Sequence, residues 1–308
     1  MLRSRSLEEI KAIFRVYGQD SHMDLPGGRQ RSEFVANAVR FPEASLLFTG
    51  YDSPIMMGFD PSSDLFLGYQ LRDVSQVVVE GKVIENGIHH CGCLIPHNRA
   101  WSVRNPHGFQ VLLLHLSTAT LQRKLSAFLG SDHARLDLRQ PAIAEAGSTA
   151  RLRASVFELA REVEGADRRF LPQLGASAIE AICLGILLSL SEKVLTAERA
   201  PAAPSALQLG YLEQYIVANY TQTLTVETLA KISGVSGHSV FSHFLARYGC
   251  TPYAYLEQIR INMAHFMLAG RNDRDAVTSV ALQCGFPSLT EFERAYRKAF
   301  GRPPVGPA

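Results

Sequence analysis

Apolar positions change their period once along the chain. From Arg31 to Leu116 they alternate or come in short runs, and after Ser117 they recur every three to four residues. Alternation turns one face of a strand to a core, whereas spacings of three and four line one stripe of a helix. The first pattern predicts strands over Glu33–Arg40, Ala44–Thr49, Ser53–Gly58, Leu65–Leu71, Ser75–Val79, Lys82–Glu85, His90–Ile95, Trp101–Val103 and Gln110–His115. Turn-forming groups part them: Phe59-Asp-Pro-Ser-Ser63, Glu80-Gly81, Glu85-Asn-Gly87 and Asn105-Pro-His-Gly108. Short strands spaced roughly ten residues apart suggest a sandwich or barrel. A helix over Leu7–Phe14 and a loop around Leu25-Pro-Gly-Gly28 precede them, and helices over Thr118–Leu129, Ala142–Glu164 and Arg169–Thr196 follow.

Past Leu224 the helical pattern is written twice. Ala230 aligns with Ala281 and Gly234 with Gly285; beyond the turn, Ser236, Val240, Phe244, Tyr248 and Gly249 align with Ser288, Phe292, Tyr296, Phe300 and Gly301. The second turn is one residue longer. Each copy predicts a short helix ended by a glycine free to take φ > 0, then a serine suited to cap the next helix. The second helix has apolar residues at i, i+4 and i+8 and stops at another glycine. The opposite face carries His238, Ser239, Ser242 and Ala246 in the first copy, and Thr290, Glu291, Arg294 and Lys298 in the second. This is the pattern of two helix-turn-helix units. Between them, Pro252 opens a helix and Leu256, Ile259, Met263 and Phe266 follow at spacings of three and four, up to Gly270. One such helix fills a major groove of DNA, and a second can enter the same face only about 34 Å further along. A stiff spacer between two units suits that geometry.

The segment 207–308 resembles the DNA-binding domain of AraC/XylS-type transcription regulators, most specifically in Val280-Ala-Leu-Gln-Cys-Gly-Phe286 and Tyr296-Arg-Lys-Ala-Phe-Gly301. The resemblance implies base contacts from His238, Phe241 and Ser242 in the first unit, with Ser239 beside them. In the second it implies Leu289, Thr290, Glu293 and Arg294. Double-stranded DNA is then the principal partner. RNA polymerase, a homodimeric state and activation rather than repression are also implied by the resemblance.

Charge refines this picture. From Leu207 onward nine Lys or Arg face seven Asp or Glu, a net of +2, equal to that of the whole 308-residue chain. Phosphate neutralisation supplies most non-specific DNA affinity, so this domain alone is expected to bind weakly and to gain from a second protomer. Hydrophobic residues are 46% and charged ones 19%, enough for a substantial core and against wholesale disorder. Five cysteines, an odd number, and a start without an apolar leader point to the cytoplasm and reduced thiols. The most apolar stretch, Leu174–Leu190, contains Glu180, so a buried helix is expected there and no membrane partner.

The run Glu80–Pro96 has the cadence of a jelly-roll sensor, similar to the cupin-like N-terminal domains of the XylS-like branch of the same family. Those domains respond to small aromatic or organic-acid effectors. Candidate pocket residues are Phe48, Tyr51, Tyr69, His90, His97 and Trp101 as walls, with Arg40 or Arg72 to pair a carboxylate. His89-His-Cys-Gly-Cys93, with His97 and His107 nearby, could supply metal ligands. Strand alternation splits His90 from His89, Cys91 and Cys93, and a cupin's His-x-His with a following Glu is missing, so no metal or other cofactor is expected. The helical pair after the strands, with Ile179, Ile182, Ile186, Leu187 and Leu190 on one stripe, packs on the barrel or forms a dimer interface of the kind the resemblance implies.

No phosphate-cradling glycine loop, His-Glu-x-x-His or Gly-x-Ser-x-Gly occurs. The expected architecture is α+β in two domains: 1–196, a jelly-roll sensor with a helical dimerisation pair; 197–206, a Pro/Ala-rich linker; 207–308, an all-α tandem helix-turn-helix. The expected function is a ligand-responsive DNA-binding regulator and not an enzyme. The rival is a cupin-like metalloenzyme fused to a DNA-binding module.

Overall fold

The structure is a computed structural model. It describes residues 2–4, 6–16, 21–24, 33–88, 93–95, 99–131, 142–143, 148–194, 205–269 and 274–304. The chain divides into two compact units that are not contiguous in sequence: 1–121, 136–156 and 185–192 make one, and 122–135, 157–184 and 193–308 make the other.

In the first unit β1 (Leu2–Ser4), α1 (Leu7–Val16) and β2 (Ser21–Asp24) lead into β3 (Phe34–Arg40), β4 (Ala44–Tyr51), β5 (Ile55–Phe59) and β6 (Asp64–Arg72). There follow β7 (Val74–Val79), β8 (Lys82–Gly87), β9 (Cys93–Ile95), β10 (Trp101–Asn105), β11 (Gln110–Ser117) and the short β12 (Ala142–Ile143). One sheet runs β1-β3-β4-β11-β6-β9-β12 and the other β2-β5-β10-β7-β8. From β4 to β11 successive strands pass from one sheet to the other, except that β7 and β8 form a hairpin within the smaller sheet; this is the β-rich, jelly-roll architecture expected. The β7–β8 hairpin turns on Glu80 and Gly81, both at positive φ, a two-residue loop whose twist matches its strands.

Inward residues of both sheets share one core: Leu47, Tyr51, Phe66 and Val111 meet Met57, Phe59, Val77, Trp101 and Val103, and α1 adds Ile10 and Phe14. On the other face of the larger sheet Leu46, Leu67, Tyr69, Leu112, Leu114 and Leu116 are buried as well. That explains why β4, β6 and β11 are apolar runs rather than clean alternations. Two departures from expectation are local. The helix foreseen from Ala142 begins at Ser148 as α3 (Ser148–Gly165), because Ala142 and Ile143 pair with β9. Strands β1 and β2 carry no apolar period and exist through their pairing with β3 and β5.

The second unit takes α2 (Thr118–Leu129) from Gln122 onward, the later part of α3, a 3-10 turn at Arg168–Phe170 and α4 (Leu171–Val194) up to Leu184. It also holds α5 (Ala206–Ala218), α6 (Val226–Ser233), α7 (Gly237–Tyr248), α8 (Pro252–Met267), α9 (Arg274–Gln283) and α10 (Leu289–Phe300). Of the expected linker, residues 197–204 lie outside the described residues. Ser205 then opens α5 with a reciprocal cap to Gln208.

Two cores lie along α8. Leu256 joins Leu212, Ile216, Leu229, Val240 and Phe244. Ile261, Ala264 and Leu268 join Val277, Val280, Ala281, Phe292 and Tyr296. The buried face of α8 differs from the one its spacing suggests, since Met263 and Phe266 are exposed, the latter at 78%. Arg260 turns inward instead. Its Nε and Nη2 donate to the carbonyls of Tyr220 and Gln222 at 2.6 and 2.7 Å. A buried guanidinium with two good acceptors outweighs two solvated apolar side chains, because losing it would strand those carbonyls. The same loop meets the second turn: Gly285 sits at φ +79°, and a Cβ there would lie 2.3 Å from the carbonyl oxygen of Thr221.

Among the described residues one stretch, 168–188, is long and apolar enough to cross a membrane, with mean hydropathy 1.7. Half of it is buried, including Ile179, Ile182, Cys183 and Glu180.

Gly285→Ala forces both a positive φ and a clash with backbone. It should lower the stability of the helical unit by about 3 kcal/mol or more, read as an earlier urea transition followed by circular dichroism.

Candidate nucleic-acid interface and sensor cavity

Both reading helices are built alike. Gly234 ends α6 at φ 68°, and Ser236 caps α7 by accepting from the Ser239 amide at 3.2 Å. Gly285 turns the chain after α9, and Ser288 caps α10 by accepting from the Glu291 amide at 3.0 Å. Val240 and Phe244 on α7, and Phe292 and Tyr296 on α10, are buried at 0 to 2% exposure. That leaves the opposite faces to solvent. His238 and Ser242 are exposed on α7, and Thr290, Arg294 and Lys298 on α10.

The residues singled out from sequence do not share one environment. Ser239 is buried, its Oγ 3.0 Å from that of Ser236. Phe241 is half-buried, edge-on to Phe128 and Tyr253 with ring centroids 6.1 and 5.5 Å away. Leu289 is half-buried against the second core, and Glu293 is half-buried. The Arg294 guanidinium reaches Glu158 of α3 at 2.5 Å and Glu291 at 3.7 Å. Burial pushes the Glu291 carboxyl up to about 7 against the pull of Arg294, and the neighbouring Glu158, Glu162 and Glu257 charges add to the rise. Its side chain keeps 31% exposure, so the rise reflects crowding by carboxylates as well as loss of water.

A buried charge network underlies α7. Lys124 on α2 and Glu180 on α4, each 4% exposed at the side chain, are paired, and Lys124 also donates to Glu227 of α6 at 3.1 Å. Glu180 accepts from the Val226 amide at the start of α6 and from the Tyr253 hydroxyl of α8, both at 2.8 Å. Burial works against the charge on Lys124, yet the two carboxylates hold its amine above the usual range. Gly237 completes the seat of α7: a Cβ there would lie 2.4 Å from Val226 Cγ2 and 3.2 Å from Phe128 Cα.

Inside the jelly roll is a small cavity, with about 30 Å³ of room for the centres of water-sized molecules. Its walls include Phe14, Phe59, Trp101, Phe109 and Val111, and its polar residues are Thr49, Gln70, Ser75, Asn86 and Asn105. Among the described residues no ionisable side chain lines it. Gln70 Oε1, Asn86 Oδ1 and both side-chain atoms of Asn105 are buried without a hydrogen-bond partner among the described residues. Of the effector residues expected from sequence, Trp101 lines this cavity, stacked on Phe59 at 4.1 Å. Tyr51 is buried beside it, its hydroxyl on Met57 Sδ at 3.4 Å. Tyr69 and Phe48 point to the opposite face of their sheet, across from Leu112. Arg40 and Arg72 are exposed and line no part of it. His97 and the metal candidates His89 to Cys91 fall outside the described residues; the Cys93 side chain is likewise undescribed, and His107 is exposed. Among the described residues no group of three or more His, Cys, Asp or Glu is placed to hold a metal.

The larger sheet also carries a Ser–His–Asp chain that sequence order conceals. Ser45 Oγ lies 3.1 Å from His115 Nδ1, and His115 Nε2 lies 2.7 Å from Asp64. The residue types are those of a nucleophilic relay. Ser45, however, is 3% exposed and lies outside the cavity lining, so the chain serves to tie β4, β11 and β6 together.

The model of a helix-turn-helix domain family matches residues 229–305. The chain is 26% identical to the probable transcriptional regulator LumQ of Photobacterium leiognathi over 46% of its own length and 53% of that protein. It is 27% identical to the transcriptional activator RhaS of Escherichia fergusonii over 32% of its length and 34% of that protein. A solved structure of a probable AraC family transcriptional regulator from Rhodopseudomonas palustris is 34% identical, over 32% of this chain and 93% of that one, with a TM-score of 0.30. Residues 229–305 thus carry a helix-turn-helix domain, and the part of the chain around them is similar to AraC-type transcription regulators. The chain spans about half or less of the length of these curated relatives.

The helix-turn-helix segment comes with a support that the sequence did not disclose. Glu180 was noted in sequence only as a charge within an apolar helix, and nothing local marks Lys124. Only a carboxylate within the apolar stretch Leu174–Leu190 hinted that a partner must meet it. Removing Lys124 strands two carboxylates, one of them fully buried. Lys124→Met should cost about 3–5 kcal/mol. The double variant with Glu180→Met should recover only part of this, because the Val226 amide and the Tyr253 hydroxyl then lose their acceptor; urea titrations of the three proteins check both statements.

Proposed function

We propose that the chain is a sequence-specific DNA-binding transcription regulator whose jelly roll senses a small molecule, and that it works as a homodimer. The observation that carries the reading is the pair of serine-capped helices on one spine, each with its apolar face buried and a polar face free. An N-terminal turn so capped is the part of a recognition helix that meets base edges. Arg294 is the strongest base-reading candidate, because a guanidinium can donate two hydrogen bonds to guanine. His238, Ser242 and Thr290 stand exposed beside it. Contact with RNA polymerase and dimerisation through α3 and α4 follow the family resemblance, and activation is the sign printed in the name of RhaS.

The sensing role is supported by orphaned polar atoms within an apolar barrel. Native interiors rarely leave such atoms unpaired unless water or a ligand meets them. The lining favours an uncharged ligand with donors and acceptors over the aromatic or organic acid suggested by the family branch. Entry of anything larger than water requires the Phe59–Trp101 wall to move. The reading as a binding protein rather than an enzyme rests on the regulators it resembles and on the enclosure of Ser45.

Selection of bound sequences from random oligonucleotides, with and without candidate effectors, tests the whole reading; a footprint confined to one groove would refute the tandem reader. At a selected site Arg294→Ala should weaken binding by about 1–3 kcal/mol and relax preference at one position. An equal loss on every sequence would reassign Arg294 to phosphate. In a thermal-shift panel, neutral amides and lactams should raise the melting temperature and matched carboxylates should not, with the response lost in Asn105→Leu. A shift produced by carboxylates alone would overturn the assignment of the cavity.

A further inference from the structure

One exposed residue of the reading face of α10 is already engaged within the helical unit. Arg294, exposed enough to meet DNA, is held by Glu158 at 2.5 Å, and Glu158 and Glu162 both act on the neighbouring Glu291. They sit one helical turn apart on α3, so both carboxylates face α10 together. The first reading helix also meets a helix from outside the reader. Phe128 of α2 lies edge-on to His238 at 5.8 Å and 87°, and to Phe241 at 6.1 Å. Gly237, at the start of α7, is packed beneath the backbone of Ala127 and Phe128. All these residues belong to the helical unit, where α2 and α3 contribute segments that are not part of the reader.

The Glu158 carboxylate on this guanidinium presents what a DNA phosphate presents: anionic oxygens at hydrogen-bond distance, in a geometry that a guanidinium fork accepts, while Glu162 adds negative charge beside it. Two acids on one turn also repel a phosphate from the same place. We propose that Glu158 and Glu162 of α3 are an intramolecular competitor for DNA at the second reading helix, so that the chain must release α3 from Arg294 before α10 can enter a groove. This rests on α10 being a DNA-contacting helix.

The cost of release sets the size of the effect. An ion pair of this exposure contributes little to stability, and for the same reason it is cheaply exchanged for phosphate. Glu158→Gln in the full chain should tighten binding to a selected site about fivefold, while Glu164→Gln, the same charge change on an exposed position of α3, should alter it less than twofold. In an Arg294→Ala background the Glu158→Gln gain should vanish, since nothing remains to be released. The readout is fluorescence anisotropy at fixed ionic strength, with circular dichroism to confirm that each variant is folded. Equal gains from Glu158→Gln and Glu164→Gln would reduce the effect to bulk charge and overturn the proposal. So would an unchanged affinity in Glu158→Gln while the wild-type protein binds its site, which leaves the DNA-binding reading intact. If the wild-type protein and both variants bind no DNA, the proposal falls with the reading beneath it.

Discussion

One loop is clasped from both sides, and the geometry of the reader depends on it. Tyr220, Thr221 and Gln222 join α5 to α6; Arg260 of the spine helix binds the first and last carbonyls, and Gly285 of the second turn abuts the middle one. Tyr220 itself packs against both helical cores. Burial lowers the Arg260 guanidinium to about 10, the mark of a charge withdrawn from water and retained because its acceptors are in place. A spacer helix alone could hinge at its ends, whereas a spacer tied through a shared loop resists such bending. Two reading heads are useful only if their separation is held, so this clasp links packing to function.

Beneath the first head, the Lys124–Glu180–Glu227 network is a second constraint of the same kind. Buried charges add little net stability over an apolar core but penalise every arrangement that separates them. Here they bring together α2, α4, α6 and, through Tyr253, α8. The helices that follow the jelly roll are thereby committed to the reader by polar contacts that admit one register. A displacement of α2 would therefore disturb the seat of α7.

The jelly roll has a different economy. Its stability comes from apolar residues of two sheets and α1, and the polar atoms left within it are confined to one small region around Asn105. The expected arginine partner for an acidic effector was drawn from residue type alone. Arg40 and Arg72 are set at strand ends where solvation is cheap, and nothing in a strand's alternation tells that the interior polar groups would be amides instead.

Local chemistry was sufficient for the reader. The period of three and four, the serines at 236 and 288 and the glycines at 234, 249, 285 and 301 determine helix, cap and stop within a few residues of one another. Those features read correctly because their causes are local in the chain. The alternation of strands in the jelly roll was legible for the same reason, except for β1, β2 and β12, whose only cause is a partner strand far away in sequence. What tertiary structure alone decided are the pairings across long separations: Lys124 with Glu180 and Glu227, Arg260 with the Tyr220–Gln222 loop, Arg294 with Glu158, Ser45 with His115 and Asp64. A charge on an amphipathic helix looks the same in sequence whether it meets water or a carboxylate, and only the packing of distant elements removes the water and selects the partner.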